Sequence, residues 1–398
     1  MTMRRAYMDH NATAPVRAEA ADAVLRALSA TGNPSSVHAE GRAARKILEE
    51  ARTSVAALVH AKPAEVVFTS GGTEAANLAL HVARAALGVE RVIVSAIEHD
   101  CVRVAANGLG VPVEVLSVDV NGVADLGELA QRLASPGKAL VALMYANNET
   151  GVVQPVAEAV ALAKEAGAVV LTDTIQAWGR LPVYFHALGA DLMTVSAHKL
   201  GGPQGVGALV IREGLPFDAL IRGGGQELRR RSGTENVPGI AGFGAAAKLA
   251  AQEIVEMPRV GQLRDRLEEI LREAVPELCV FGAGAERLAN TSLFSAPGLD
   301  AETLLMTLDL DGVAVSAGAA CSSGKVARSH VLAAMGVEDT LAKGAIRVSL
   351  GLGNTAEEIE RLAQSWSRAA KRARDKLGDG VKSSNSGAAV SALEEVES

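Results

Sequence analysis

The run Ser196-Ala197-His198-Lys199-Leu200-Gly201-Gly202-Pro203-Gln204-Gly205 puts a lysine where an apolar strand gives way to a turn rich in glycine and proline. Burying an ammonium group is costly, so a lysine at the end of a core strand asks for a chemical reason. A partly desolvated amine has a lowered pKa and can attack an aldehyde to form a Schiff base. A side chain that merely snorkels out of the strand end is the alternative. Upstream, Leu171-Thr172-Asp173-Thr174-Ile175-Gln176 sets a carboxylate at the tip of a second apolar strand. There it can hold a pyridine nitrogen protonated and so make the ring an electron sink, or it can cap a helix.

Three more segments follow the same plan. In Phe68-Thr69-Ser70-Gly71-Gly72-Thr73-Glu74 a strand, a Gly-Gly pair and a helix start come together, which makes an anion cradle of backbone N–H groups. The spacing matches neither the Walker pattern nor a GxGxxG fingerprint, which argues against an NTPase or a dehydrogenase. A plain glycine turn is the other reading. Glu98-His99 also lies just past a strand, where His99 could move protons, stack on a cofactor or serve structure alone. Asn147-Asn148-Glu149-Thr150-Gly151 follows another apolar run. Open α/β sheets collect ligands at the carboxyl ends of their strands. Thr73, His99, Asn148, Asp173 and Lys199 would therefore meet on one sheet edge.

The C-terminal third adds Ser316-Ala317-Gly318-Ala319-Ala320-Cys321-Ser322-Ser323-Gly324-Lys325, a cysteine among small residues with little to bury, which leaves the thiol accessible. Arg347 stands inside the apolar run Ala345-Ile346-Arg347-Val348-Ser349-Leu350. A buried guanidinium needs an anion, either a bidentate substrate carboxylate or an internal salt-bridge partner. The cysteines, Cys101, Cys279 and Cys321, are three in number with no metal-type spacing. A disulfide framework and a protein zinc site are thus disfavoured, and a reducing cytoplasm fits.

The elements that must position these residues can be read from periodicity. Strand patterns at 66–69, 91–95, 113–117, 140–145, 168–172, 191–196 and 206–211 alternate with helical patterns at 73–87, 125–134 and 156–166. Several strands are continuous apolar runs, as strands covered on both faces are. The fold class is α/β with a mostly parallel, seven-stranded sheet. A long helical stretch at 239–275 links it to a smaller α/β unit with strands at 278–281, 291–295, 313–316 and 345–350 and helices at 301–310 and 356–376. From 379 the chain is small, polar and finally acidic, which reads as a disordered tail.

Composition sets the outer limits. With 398 residues, 48% of them hydrophobic, the chain can build two or three cores. A net charge of −7 argues against a nucleic-acid or anionic-membrane partner, and Arg229-Arg230-Arg231 reads as a solvated local patch. No apolar run reaches the length of about 20 residues that a membrane span requires. Arg4 and Arg5 are not followed by the apolar stretch of a secretory signal.

Taken in order, these segments resemble the NifS/IscS-type cysteine desulfurases, a class V aminotransferase branch of the fold-type I pyridoxal-phosphate enzymes. The resemblance runs from Tyr7-Met8-Asp9-His10-Asn11-Ala12-Thr13-Ala14-Pro15 to about residue 377, and takes in Gly32-Asn33-Pro34-Ser35-Ser36-Val37-His38 and Arg231-Ser232-Gly233-Thr234. It implies that Lys199 carries pyridoxal 5'-phosphate as a Schiff base and that Asp173 pairs with its ring nitrogen. Gln176 and Asn148 would bond its phenolic oxygen or the substrate, and His99 would stack on the ring and move protons. Gly72 and Thr73, with Ser196 and His198, would hold the phosphate, helped by Thr234 of a neighbouring subunit in a homodimer. Arg347 and Asn148 would grip the carboxylate of L-cysteine, and Cys321 would receive the sulfur as a persulfide. A transient iron–sulfur ligand at Cys321 is the one metal role this leaves open.

The implied large domain is 12–255; a small domain would join 1–11 to 256–378, ahead of the tail at 379–398. An iron–sulfur scaffold protein of the IscU/NifU kind is the implied sulfur acceptor. Four positions depart from the usual pattern: Ala317 and Ala319 replace serines before the cysteine, Thr174 stands where alanine is commoner, and Gln204 replaces a frequent lysine. The rival readings are a selenocysteine lyase or class V aminotransferase on the same scaffold, and a non-catalytic iron–sulfur assembly scaffold. A transaminase would have no need of Cys321, and a degenerate scaffold should lose the lysine or the cysteine.

Overall fold

The computed structural model describes residues 5–318 and 328–391, with side chains as far as 375. Cys321 and Ala319 therefore lie outside the described residues. In chain order the strands are β1 (Ala6–Tyr7), β2 (Val66–Thr69), β3 (Arg91–Ser95), β4 (Val113–Leu116), β5 (Ala139–Ala142), β6 (Val169–Asp173), β7 (Leu192–Ser196), β8 (Gly207–Ile211), β9 (Cys279–Val280), β10 (Thr291–Ser295), β11 (Val313–Ala314), β12 (Ser316–Ala317) and β13 (Ile346–Ser349).

β2 to β8 form a seven-stranded sheet in the order β2-β8-β7-β6-β5-β3-β4. β4, β3, β5, β6 and β7 pair in parallel, while β8 runs antiparallel to both β7 and β2. The double reversal leaves β2 parallel to β7. The carboxyl ends of six strands thus share one edge, which is the edge that collects the polar segments.

Alternation along each strand explains why the apolar runs are continuous. Val66, Phe68, Ile93, Val141, Val170, Met193 and Val195 pack on one face with Leu48, Val55 and Phe243 from helices Ala39–Leu58 and Val237–Glu253. Val67, Val92, Val94, Leu140, Leu171 and Leu192 face the other way, against Leu78 and Val82 of helix Gly72–Ala85. Both faces are covered, so the runs are apolar on both alternate positions, with small polar residues such as Ser95, Thr172 and Thr194 buried among them. The two helices at Ala18–Leu28 and Ala39–Leu58 are additions to the sequence expectation, and the expected 239–275 helix is two, Val237–Glu253 and Met257–Ala274, separated by a 3₁₀ turn.

A second sheet, β12-β13-β10-β9, is antiparallel throughout. Its core includes Leu267, Leu271, Phe294, Ile346 and Trp366, the last meeting Phe294 edge-on with ring centroids 5.3 Å apart. The N-terminal segment enters the same core: β1 pairs in parallel with β11, and Ala6 and Met8 are fully buried there. The last helix runs Ala356–Ser391. It therefore continues past residue 379, where a disordered tail is expected from composition, as far as 391; residues 392–398 lie outside the described set. No proline interrupts this stretch, so nothing removes the backbone donors that a helix needs.

One buried ion pair fastens the sheet edge to the segment that carries Arg231 and Thr234. Glu227 accepts two bonds from Arg52, at 2.7 and 2.8 Å, and one from the backbone N–H of Phe68 in β2 at 2.9 Å. Glu227, Leu228 and Arg229 all have left-handed backbone angles, φ 46°, 57° and 67°, which non-glycine residues adopt only under constraint. Glu227→Ala would leave the buried Arg52 guanidinium with only the more exposed Glu49 carboxylate at 3.0 Å, at an expected cost of about 3 kcal/mol. Urea unfolding followed by far-ultraviolet circular dichroism checks this, and an unchanged midpoint would remove the pair from the framework.

Candidate active site

Lys199 sits in the short 3₁₀ turn that follows β7. It is half-buried, and its Nζ donates to the backbone carbonyls of Asn11, at 2.5 Å, and Ala12, at 2.7 Å. Neutral carbonyls satisfy the donors of the amine without stabilising its charge as a carboxylate would. Burial, reinforced by the positive charges of Arg347 and Arg180, lowers its pKa to about 8, against the weaker pull of Asp9 and Asp173. The sequence expectation of a desolvated lysine thus acquires a local cause, the N-terminal segment that folds over the strand end.

Asp173 is the last residue of β6 and is buried. Its Oδ1 accepts from the backbone N–H of Ile175 at 2.9 Å. Burial pushes its pKa up, while that hydrogen bond and the charges of His99 and Lys199 pull it down. His99 is exposed and caps helix Asp100–Asn107, its Nδ1 accepting from the backbone N–H of Cys101 at 3.1 Å. That bond puts the proton of the neutral ring on Nε2, the nitrogen left to exchange it. His99 and Asp173 therefore lie close enough to interact, as the strand-exit reading requires.

Gly72 opens helix Gly72–Ala85 beside Ile175 and Ser196. A Cβ on Gly72 would fall 2.3 Å from Cδ1 of Ile175 and 3.7 Å from Cβ of Ser196, so a larger residue would have to push the Ile175 side chain aside. Thr73 is exposed at that start. The first N–H groups of this helix have no partner within it, and Ser196 lies beside its first residue. His198 bonds Oγ1 of Thr13 at 3.2 Å, and burial with the nearby Lys199 charge lowers its pKa to about 4. It is a neutral ring at physiological pH.

Gln176 is also buried, donating from Nε2 to the Asn11 carbonyl at 3.1 Å and accepting at Oε1 from Arg180. Arg180 has no carboxylate among its bonded partners, which are the Gln176 backbone and amide oxygens and the His10 carbonyl. Burial, with Arg347 nearby, lowers its pKa to about 9. Across the sheet edge, Arg347 of β13 is buried and donates to Asp9 Oδ1 at 2.8 Å and to the Asn148 carbonyl at 3.0 Å. Its Nε–H is buried with no partner. The salt-bridge reading of Arg347 is thus present in Asp9, and a donor is left over for a second anion.

The structure therefore gathers Gly72, His99, Asn148, Asp173, Gln176, Ser196, His198, Lys199 and Arg347 around one sheet edge. Thr234 is exposed and makes no hydrogen bond to the others among the described residues; its neighbour Arg231 pairs with Glu74 at 2.9 Å. The arginine run is accordingly not the solvated patch expected, because Arg231 is tied to the Gly72–Ala85 helix and Arg230 to the Ala64 carbonyl. Asn11, Ala12, Asp9 and Arg180 were not singled out from sequence for these contacts. Asp9, Asn11 and Ala12 act through long-range folding of the N-terminal segment, and Asn11 and Ala12 through backbone carbonyls, which no residue type betrays.

The arrangement suits a pyridine-ring cofactor with a phosphate arm. A lysine amine poised to add to an aldehyde, a buried carboxylate at the next strand end, and a tightly approached helix start with Ser196 beside it supply the donors such a group needs. No group of His, Cys, Asp and Glu suited to a metal ion occurs among the described residues. No described helix is long and apolar enough to cross a membrane.

Residues 6–362 match the family model for aminotransferase class-V. The chain is 46% identical to a cysteine desulfurase of Cereibacter sphaeroides over 369 residues, which is 91% of this chain and 95% of that protein. It is 41% identical to a cysteine desulfurase IscS of Dictyoglomus turgidum, covering 89% of this chain and 92% of the other. The solved structure of a NifS-like protein from Rickettsia africae superposes with a TM-score of 0.85 at 34% identity, over 92% of this chain and all of that one.

The depressed amine gives a direct expectation. Deprotonated Lys199 is the reactive form, so its fraction rises through about pH 8 rather than through the ordinary lysine range. Borohydride trapping of an aliphatic aldehyde on cofactor-free protein, read by peptide mass spectrometry, should reach half its maximal rate near that pH. A midpoint two units higher would mean that the amine is not desolvated.

Proposed function

The chain belongs to the aminotransferase class-V family and is a cysteine desulfurase of the NifS/IscS type, and we propose that it works with pyridoxal phosphate on Lys199 and Cys321 as sulfur acceptor. The observation that carries the reading is the meeting of the carbonyl-held Lys199 amine with the buried Asp173 at adjoining strand ends. Asp173 would hold the ring nitrogen, and Gln176 and Asn148 the phenolic oxygen or the substrate. The N–H groups at Gly72 and Thr73, with Ser196 and His198, would hold the phosphate. Thr234 from a second copy would complete that cradle, which makes the working unit a homodimer. When bound, the cofactor supplies an electron sink that makes the substrate's Cα proton labile and weakens its hold on sulfur.

The protein's own groups do the rest. Lys199 Nζ, half deprotonated near pH 8, takes the proton from Cα. His99, with its exchangeable proton on Nε2, serves transfers at the substrate and sulfur. Arg347 binds the substrate carboxylate with the donor that Asp9 leaves over, and the Asn148 carbonyl keeps the guanidinium oriented. The thiolate of Cys321 attacks the substrate sulfur. The Cβ–S bond breaks, an S–S bond forms at Cys321, and the carbon skeleton takes up protons to leave as alanine. Cysteine and the enzyme thiol thus become alanine and an enzyme persulfide, with no external oxidant. Cys321 lies outside the described residues, so its part rests on the sequence. An iron–sulfur scaffold protein is the acceptor we infer for the persulfide, in a cytoplasmic setting that keeps the thiol reduced.

Two variants test the reading. Cys321→Ala should retain the cysteine-induced absorbance change of the coloured enzyme and lose sulfide and alanine turnover with a thiol reductant. Turnover that survives the substitution would point to a lyase or a transaminase. Arg347→Ala should raise the KM for cysteine by about 10- to 100-fold, the loss of a charge-assisted bond worth about 1.5–3 kcal/mol, as steady-state kinetics would reveal.

A further inference from the structure

Glu149 has no part in the chemistry above, yet it is among the most buried carboxyl groups of the chain, at 3% exposure. It sits in a turn that cannot swing. Asn147 Oδ1 accepts from the backbone N–H groups of Glu149 and Thr150 at 2.9 and 3.0 Å, and Asn147 Nδ2 donates to the Ile97 carbonyl. Gly151 closes the turn at φ +77°, so near Thr291 that a Cβ would fall 2.7 Å from that residue's own. The large sheet thus delivers one carboxylate, rigidly, to the second sheet.

Two chain segments meet that carboxylate. Ser329 Oγ donates to Oε2 at 2.6 Å while it accepts from the backbone N–H of Leu332 at 3.1 Å, so the same hydroxyl caps helix His330–Ala334. Gly318, the residue after β12, lies against the same oxygen: a Cβ there would be 3.0 Å from Oε2 and 3.3 Å from Cδ1 of Leu293. Gly318 and Ser329 stand on either side of Cys321 in sequence, the first at the end and the second one residue past the start of the flanking described stretches. Burial raises the Glu149 pKa to about 7, and the Ser329 bond and the Arg347 charge only partly oppose it. Stability alone does not favour such a group, since a buried carboxyl gains little over an apolar residue of the same shape.

We propose that Glu149 is a positioning residue for sulfur transfer, its Oε2 fixing the spacing of Gly318 and Ser329 and so the reach of Cys321 toward the substrate sulfur. This rests on Cys321 being the acceptor, and the test separates the two. A displacement of about 1 Å can cost a reacting pair about 100-fold. The effect belongs to the transfer step, after cysteine has bound and been activated.

The experiment is a single turnover of the cofactor-loaded, full-length enzyme with cysteine, read in two ways: the absorbance change on cysteine addition, and persulfide on Cys321 by alkylation and mass spectrometry. Glu149→Ala and Ser329→Ala should each slow persulfide formation about tenfold or more, with the absorbance change within about twofold of wild type. Glu149→Gln keeps an acceptor for Ser329 and should recover most of the rate. The inference is overturned if both alanine variants form persulfide at the wild-type rate. It is equally overturned if absorbance and persulfide steps fall together and glutamine rescues neither, since that is a general structural role. Should Glu149→Ala not fold, Ser329→Ala and Glu149→Gln decide the matter. Wild-type enzyme that makes alanine with no persulfide on Cys321 would sink the acceptor assignment itself, and this inference with it.

Discussion

The site depends on an amine held by carbonyls. Lys199 Nζ is bound to the Asn11 and Ala12 oxygens, and these dipoles orient it without a formal counter-charge. A carboxylate in their place would keep the lysine protonated and useless as a nucleophile or base. Arg347 and Arg180 press in the same direction. The lowered pKa is therefore built from the surroundings as a whole, and no single neighbour produces it.

That arrangement needs the N-terminal segment to cross between the two sheets, and its fastening is distributed. The Asn11 side chain is bonded at both ends, donating to the Asn148 carbonyl and Thr291 Oγ1 and accepting from Asn290 Nδ2, while its backbone N–H reaches Ser349 Oγ. Asp9 adds the pair to Arg347. The segment thus joins β10, β13 and the loop after β5 in one buried network, in which every member constrains the others. The same network that aims Arg347 at a carboxylate also sets the carbonyls that aim Lys199.

Much of this was legible in the sequence, and the reason is physical. Residues of the large sheet sit at strand exits, so local periodicity followed by a polar residue points to Thr73, His99, Asn148, Asp173 and Lys199. Strand bounds such as 206–211 and 291–295 were read to within a residue because buried runs end where backbone must turn. What escaped was non-local. The Asp9–Arg347 pair spans 338 positions, the Lys199 contacts use main-chain oxygens, and the helices at Ala18–Leu28 and Ala39–Leu58 carry too many alanines and charges to announce a core face. The final helix went the other way: composition argued against order beyond 379, while a backbone without proline could continue.

Glu98 shows how the site treats its two buried carboxyl groups differently. It is fully enclosed, accepts from the backbone N–H of Met144, and has a second oxygen with no partner. Burial, aided by the charge of Asp173, raises its pKa well above the ordinary range. The two carboxyl groups are close enough to compete for a proton, and they do not compete equally. Asp173 has the Ile175 N–H, His99 and Lys199 on its side, whereas Glu98 has a single backbone donor. Burial raises the Asp173 pKa too, but the Ile175 N–H, His99 and Lys199 oppose the rise, and they favour the charge with which a carboxylate stabilises a protonated ring nitrogen.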